Sequence, residues 1–334
     1  MKDMTQKLTN LLLNWYKMHG RDLPWRYRGG AHPNPYVVLV SEFMLQQTTV
    51  KTVIPYFEKF MARFPTIQDL AEADIEEVYQ LWQGLGYYTR ARSLHTTAKM
   101  IVKNFGGKIP DTREDVLKLK GIGPYSVASI LALAYNKPET VIDGNVMRIM
   151  ARLYHQTQPL DEIKELIIAK ASALTSLQEP ADYASAIMDL GATICTPKKP
   201  QCLICPWQSA CLSLGRNDVE QIPQKTKLLK KEQKSNVYLI YDSKGRVFIR
   251  KRTENGLLSG LYEFPWGNMV FDHAIDTKKE VTHIFTHIRL YLHIYVIHCE
   301  QTIIEDGFFV LPSDFKNYAF STLMKKVWQK NTAT

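Results

Sequence analysis

At 334 residues the chain is longer than one compact domain usually runs, and its 45% hydrophobic content is enough for sizeable cores, so about two domains are expected. The formal net charge of +9 suggests a polyanionic partner, because clustered Lys and Arg attract phosphates at long range; charge alone also fits a merely soluble basic protein. No run is long enough to span a bilayer, Leu11-Leu12-Leu13 is too short for a secretory signal, and four of the five cysteines crowd between Cys195 and Cys211, so a reducing, cytoplasmic compartment with no membrane partner is expected.

Up to about residue 215 apolar residues recur at intervals of three and four, the period of helices. Asn34-Pro35, Asp74 with Glu77, and Asp111 with Glu114 each read as a cap followed by a helix. Gly84-Leu85-Gly86 and Gly106-Gly107 read as helix ends or turns. The helix predicted from Pro35 toward Gln47 is apolar on nearly every side, so Glu42 within it should be buried with its pKa raised. A carboxylic acid that keeps its proton near neutral pH can act as a general acid, although a buried Glu bonded to its neighbours fits the same pattern.

In Leu117-Lys-Leu-Lys-Gly-Ile-Gly-Pro-Tyr125, Gly121 and Gly123 flank one apolar residue, and Pro124 is placed to open a helix. Such a turn exposes backbone N–H groups that can grip a phosphate without reading sequence; an ordinary connection between two helices is the alternative. Asp143, in Val141-Ile-Asp-Gly-Asn-Val146, sits where the next helix begins and reads as its N-cap, a position that favours a charged carboxylate. Paired with Glu42, it would have its pKa pushed the opposite way, as needed when one group donates a proton and the other stabilises positive charge.

Cys195, Cys202, Cys205 and Cys211 follow within one short stretch, and four thiolates so placed can close around a metal centre. Zinc stays open as the metal, though its four-cysteine sites more often come as two close pairs and only Cys202 and Cys205 form one here. Residues 216–234 are polar and Lys-rich, including Lys225, Lys227, Lys230, Lys231 and Lys234, and read as a linker. Afterwards the period changes: Asn236–Tyr241, Arg246–Lys251 and Leu290–Cys299 read as strands, with a hairpin turn at Asp242-Ser-Lys-Gly245 and Cys299 in the core.

Taken in order, Glu42-Phe-Met-Leu-Gln-Gln-Thr48, Gly84-Leu-Gly-Tyr-Tyr88, Leu119-x-Gly-Ile-Gly-Pro-Tyr125, Asp143-Gly-Asn145 and the cysteine loop resemble adenine DNA glycosylases of the MutY type, over nearly the whole chain. The resemblance implies a multidomain protein. Residues 1–215 would form an all-α helix-hairpin-helix glycosylase region, with a six-helix barrel at about 30–137 and an iron–sulfur cluster module from about 1–29 and 138–215. Residues 216–234 would be the linker and 235–334 an α+β Nudix-like recognition domain. Lys251-Arg-Thr-Glu-Asn-Gly-Leu-Leu-Ser-Gly-Leu-Tyr-Glu-Phe-Pro265 and Phe285-Thr-His287 carry that last likeness, while the Arg-Glu pair and Glu-Glu cluster that hold magnesium in Nudix hydrolases are missing between Phe264 and His283. Binding rather than nucleotide hydrolysis is therefore expected of it.

By the same resemblance, a monomer would act on double-stranded DNA holding adenine opposite 8-oxoguanine or guanine. Glu42 would protonate adenine at N7, Asp143 would stabilise the oxocarbenium-like sugar, and Tyr125 and Asn145 would orient these groups and the water. Gln47 and Tyr87 would fill the gap left by the extruded base, with Thr48 and Leu85 contacting the opposing oxidised guanine; Phe285, Thr286 and His287 would read that base. Gly121 and Gly123 would hold a phosphate, as would Lys198 and Lys199 inside a loop organised by a [4Fe-4S] cluster on Cys195, Cys202, Cys205 and Cys211. Bifunctional relatives of the endonuclease III type carry a lysine nucleophile where this chain has Tyr125, so hydrolysis without strand cleavage is expected. A glycosylase-lyase for oxidised pyrimidines and a non-enzymatic DNA-binding metalloprotein are the competing readings. Departures from the family are Ser185, where Gln or Glu commonly helps read adenine, Thr286 in place of Ser, a longer stretch between Gly29 and Pro35, and a shorter last domain.

Overall fold

The computed structural model describes residues 2–26, 32–224, 230–253, 256–267, 271, 273–299 and 306–332. Residues 29–31 of the Gly29–Pro35 stretch, and Lys225 and Lys227 of the linker, lie outside them. Helices come first: α1 (Lys2–His19), α2 (Pro35–Leu45), α3 (Val50–Arg63), α4 (Ile67–Glu72), α5 (Ile75–Trp82), α6 (Thr89–Phe105), α7 (Arg113–Leu117), α8 (Pro124–Tyr135), α9 (Gly144–Leu153), α10 (Leu160–Leu174) and α11 (Pro180–Asp189). A π-helical turn at Leu190–Ile194 leads into the cysteine loop. Strands β1 (Lys231–Asp242), β2 (Val247–Lys251), β3 (Tyr262–Glu263), β4 (Trp266–Gly267), β5 (Ile275–Ile284), β6 (Ile288–Cys299) and β7 (Gly307–Val310) follow, and α12 (Thr322–Thr332) closes the chain's order of elements. No described helix is long and apolar enough to cross a membrane.

The chain clusters into two compact units, residues 1–71 with 96–227, and residues 72–95 with 228–334. In the first, α1, α9, α10 and α11 bury a shared core containing Leu12, Met150, Ile167, Leu190 and Trp207. Asn34 caps α2 by accepting a hydrogen bond from the Tyr36 amide at 2.9 Å, and Pro35 fills the first helical position. The cap expected at Asp111 is instead Thr112: its hydroxyl accepts from the Asp115 amide at 3.2 Å, one residue later than the pattern suggested. Between α7 and α8 the chain turns at Gly121, whose φ of +78° suits a residue without Cβ, and the turn is tied down where the Thr97 hydroxyl donates to the Lys120 carbonyl at 2.8 Å.

The second unit is built on one sheet in the order β3-β2-β1-β6-β5, with β4 paired to β1 and β7 to β2. Its central pair, β1 and β6, is parallel from Lys231 opposite Ile288 to Asp242 opposite Cys299. One face, with Val237, Leu239, Ile249, Leu292 and Ile294, is covered by Leu323, Met324 and Val327 of α12. Strand β1 starts at Lys231, so the end of the polar stretch read as linker is sheet: its four residues Lys231–Lys234 are exposed, and backbone pairing to β6 holds them without burial. At the predicted hairpin, the Asp242 carboxylate accepts from the amides of Lys244 and Arg246 at 3.0 and 2.8 Å, and Gly245 has φ +73°. Helix α5 and the start of α6 belong to this unit. The Gln80 amide donates to the Asn317 carbonyl at 3.0 Å, Arg92 donates to the Ser259 carbonyl at 3.0 Å, and Glu76 pairs with Lys251.

Candidate active site

Glu42 lies on α2 among Val38, Leu39, Val40, Phe43 and Met44, all buried, and is itself only 4% exposed. Burial is the largest influence on its carboxyl and pushes its pKa up to about 7; the Ser129 hydroxyl and Arg26 pull it down, and the negative charge of Asp143 pushes it further up. Asp143 caps α9, accepting from the Val146 amide at 2.7 Å and from the Asn145 side-chain amide at 2.8 Å. Tyr125 stands at the start of α8, its phenol held well above the usual value by burial and then by the charges of Glu42 and Asp143. Glu42, Tyr125, Asp143 and Asn145 thus line one cleft of about 460 Å³, together with Thr48, Lys51, Leu23, Trp25, Arg26 and Met188. A larger groove of about 690 Å³ near Tyr36, Gln68 and Tyr135 includes none of these four residues.

Several contributors were invisible to motif reading. Arg21 and Arg26 both grip Asp189, which is fully buried, at 2.7 to 2.8 Å, and so fix the Arg21–Arg26 segment as a wall of the cleft. The only local signal was an aromatic, Trp25, bracketed by arginines. Ser129 is another: it is fully buried on α8, and its hydroxyl has no hydrogen bond of regular geometry among the described residues although it faces Glu42 and Tyr125. Ser185 is buried on α11 and is not among the residues lining the cleft, whereas Met188 is.

The remaining residues are placed as follows. Gln47 is exposed with φ +57° and Thr48 half-buried beside it; in the second unit Tyr87 is 48% exposed with φ +50°. Left-handed backbone in side chains of this size costs roughly 1–2 kcal/mol and is retained mostly at functional positions. Arg90 stacks on Tyr87 with its guanidinium 5.2 Å from the ring centre and donates to the Gly86 carbonyl at 3.1 Å. Leu85 is buried, so the surface of that turn is backbone rather than its side chain. Gly121 and Gly123 are exposed, and a Cβ on Gly123 would meet nothing within 4 Å. Phe285, Thr286 and His287 form the short turn between β5 and β6, Phe285 partly buried against the core and the other two exposed. Cys299 ends β6, packed against the patch around Tyr238, Ile240 and Phe248.

Cys195, Cys202, Cys205 and Cys211 are unbridged thiols that border one small cavity with Ile194, Pro200 and Leu214. Burial raises the pKa of Cys202 and Cys211 and pushes that of Cys205 up to about 12, so a cation inside would be needed to hold them as thiolates. Among the described residues no three or more His, Cys, Asp or Glu stand in closed metal-holding geometry. The fit to a metal centre rests on the donor set, four soft ligands around an apolar space. Arg152, 2% exposed, secures the loop by donating to the carbonyls of Thr196, Pro197 and Ile222 at 2.6, 2.9 and 3.0 Å. Arg148 joins loop to cleft, donating to the Cys195 carbonyl and to the Asn145 side chain, each at 2.9 Å. Lys198 and Lys199 are exposed on the loop.

Residues 40–171 match the HhH-GPD superfamily base excision DNA repair protein family, and residues 236–330 match the NUDIX domain. Adenine DNA glycosylase of Rattus norvegicus is 32% identical over 95% of this chain and 76% of its own length. That of Buchnera aphidicola is 35% identical over 84% of this chain and 83% of its own. Among solved structures, a thermostable thymine-DNA glycosylase aligns with a TM-score of 0.56 at 27% identity, covering 63% of this chain and 96% of that one. A trapped endonuclease III–DNA covalent intermediate aligns with a TM-score of 0.54 at 20% identity, over 64% and 96%, and shares the helical fold. With a buried acid facing a helix-capping carboxylate, and with relatives this similar over most of both chains, the chain belongs to the adenine DNA glycosylase family of base-excision repair enzymes.

Proposed function

We propose that the chain hydrolyses the N-glycosidic bond of adenine opposite 8-oxoguanine or guanine in duplex DNA, without cutting the strand. The observation that carries this reading is the shared cleft: Glu42, with a pKa of about 7, and the N-capping carboxylate Asp143, with Tyr125 where a nucleophilic lysine would stand. Glu42 gives its proton to N7 of the extruded base. The C1′–N9 bond then breaks with its electron pair leaving on adenine, a neutral leaving group. Asp143 faces the sugar as positive charge develops at C1′, held in place by the Asn145 amide. Water attacks C1′ and its proton passes to a carboxylate, which restores the pair. Ser185 does not line the cleft, so selection of adenine falls to Leu23, Trp25, Arg26 and Met188, which do.

Extrusion costs a few kcal/mol, offset here by Gln47 and Tyr87 entering the stack. Gly121 and Gly123, with Lys198 and Lys199, hold the phosphates and Phe285-Thr286-His287 reads the opposing base. We assign to Cys195, Cys202, Cys205 and Cys211 the [4Fe-4S] cluster typical of this family; when bound it supplies the positive charge and cross-linking that keep the lysine-bearing loop in shape. The test incubates the protein with duplexes holding adenine opposite 8-oxoguanine or a damaged pyrimidine, with and without alkali and borohydride. Adenine release with alkali-dependent breakage is expected. Breakage without alkali, or enzyme trapped on DNA through an amine such as Lys51 of the cleft, would overturn the hydrolytic reading.

A further inference from the structure

A hydroxyl with no partner in a fully buried position is uncommon, because each unmet polar group costs free energy that water would otherwise return. Ser129 comes close to this: it is at 0% exposure, and its Oγ makes no hydrogen bond of regular geometry among the described residues, although it lies near enough to Glu42 and Tyr125 to act on both. Its neighbour Ser126, also buried, shows the contrast, since its hydroxyl accepts from the Gln46 side chain at 3.4 Å. Ser129 falls four residues after Tyr125 on α8, and so on the same helical face. Helix α8 packs on α2, the helix that carries Glu42. Ser129 is fully buried and does not line the cleft, so its hydroxyl is closed to solvent and acts on the acid and the phenol from within the packed helices.

We propose that Ser129 is a positioning residue: as substrate fills the cleft, its hydroxyl donates to the inner oxygen of Glu42 and turns the outer oxygen, with its proton, toward the base. This rests on Glu42 being the acid. The other groups facing Glu42 are Asp143 from the cap of α9, Tyr125 from α8, and Arg26, which is held by Asp189 of α11. A hydroxyl donating to a carboxyl favours its ionised form, so Ser129 opposes the burial that raises the Glu42 pKa. Its loss should raise that pKa further.

The experiment is the pH profile of single-turnover adenine excision by the full-length holoprotein, for the parent, Ser129→Ala, Ser129→Cys and Ser126→Ala, with Glu42→Gln alongside. Because the reacting acid must be protonated, the rate falls as pH rises through its pKa. In Ser129→Ala this limb should move up by about one pH unit, the size of one charge-assisted hydrogen bond, while the rate on the low-pH plateau drops several-fold. Ser129→Cys, with a weak donor in the same shape, should fall between, and Ser126→Ala should track the parent. A limb in Ser129→Ala that coincides with the parent's, whatever its thermal stability, overturns the role of Ser129 provided Glu42→Gln is inactive. An active Glu42→Gln overturns the reading of Glu42 itself, and this proposal with it.

Discussion

The cleft and the cysteine loop hang from the same helix, α9, and treat polar groups in opposite ways. At its N-terminus, Asp143 shares a cleft with a carboxyl made hard to ionise and a phenol held well above its usual pKa. Near its C-terminus, Arg152 is almost wholly buried yet donates to three carbonyls, and the thiols close on an apolar space. A carboxyl that burial keeps protonated has a proton to give; groups fully met by hydrogen bonds hold shape. Reactivity and scaffolding are separated along one helix about three turns long.

The comparison breaks first at the carboxylates. Glu42→Gln and Asp143→Asn should each slow single-turnover adenine release by ~10²–10⁴ or more while duplex affinity barely changes; a variant that keeps its rate takes its residue out of the mechanism. The parent rate should decline as pH rises through about 7, where Glu42 gives up its proton, and a profile flat across that range would show that another group is the acid. Next in size, Cys205→Ser removes a proposed cluster ligand, the thiol that burial pushes up to about 12. Iron and its visible absorbance should fall and the unfolding temperature drop by about 5–10 °C, equivalent to roughly 2–3 kcal/mol in a unit of this size. Stoichiometric zinc in protein purified with its native metal would replace the iron assignment.

A sharper contrast comes from the hairpin. Gly121→Ala forces a side chain into left-handed backbone and should cost stability by about 1 kcal/mol. Gly123 has extended φ of −104° and open space, so Gly123→Ala should leave the unfolding temperature alone yet weaken duplex binding about tenfold by crowding the phosphate. Equal effects on both measurements would make the turn a plain connector. The smallest effect is expected from Thr286→Val. Losing one hydrogen bond of about 0.5–1.5 kcal/mol should shrink the preference for 8-oxoguanine over guanine opposite adenine only several-fold, and an unchanged preference would make Thr286 a packing residue.

What could be read from the sequence followed how local each signal was. Glu42 and Asp143 were legible because an apolar helix and a capping position declare the environment of a carboxylate within a few residues. The grip of Arg26 on Asp189 spans 163 positions and has no local trace. Ser129 looked like any small residue of a buried helix, and only the packing of α8 on α2 turns it toward the acid. The start of β1 was read as linker because Lys231–Lys234 bury nothing, and parallel pairing to a strand more than fifty residues away overrides their composition. Thr112 took the cap from Asp111 by one step, within the usual uncertainty of helix ends.

The left-handed backbone at Gln47 and Tyr87 sets a trap for anyone who would make this protein hardier. Glycine or asparagine at either position would relax the main chain, so a search that scores only resistance to heat should favour them. Each such gain would strip away a side chain proposed to enter the duplex. The hardiest descendants of this sequence would then be those that bind DNA and leave its bases stacked.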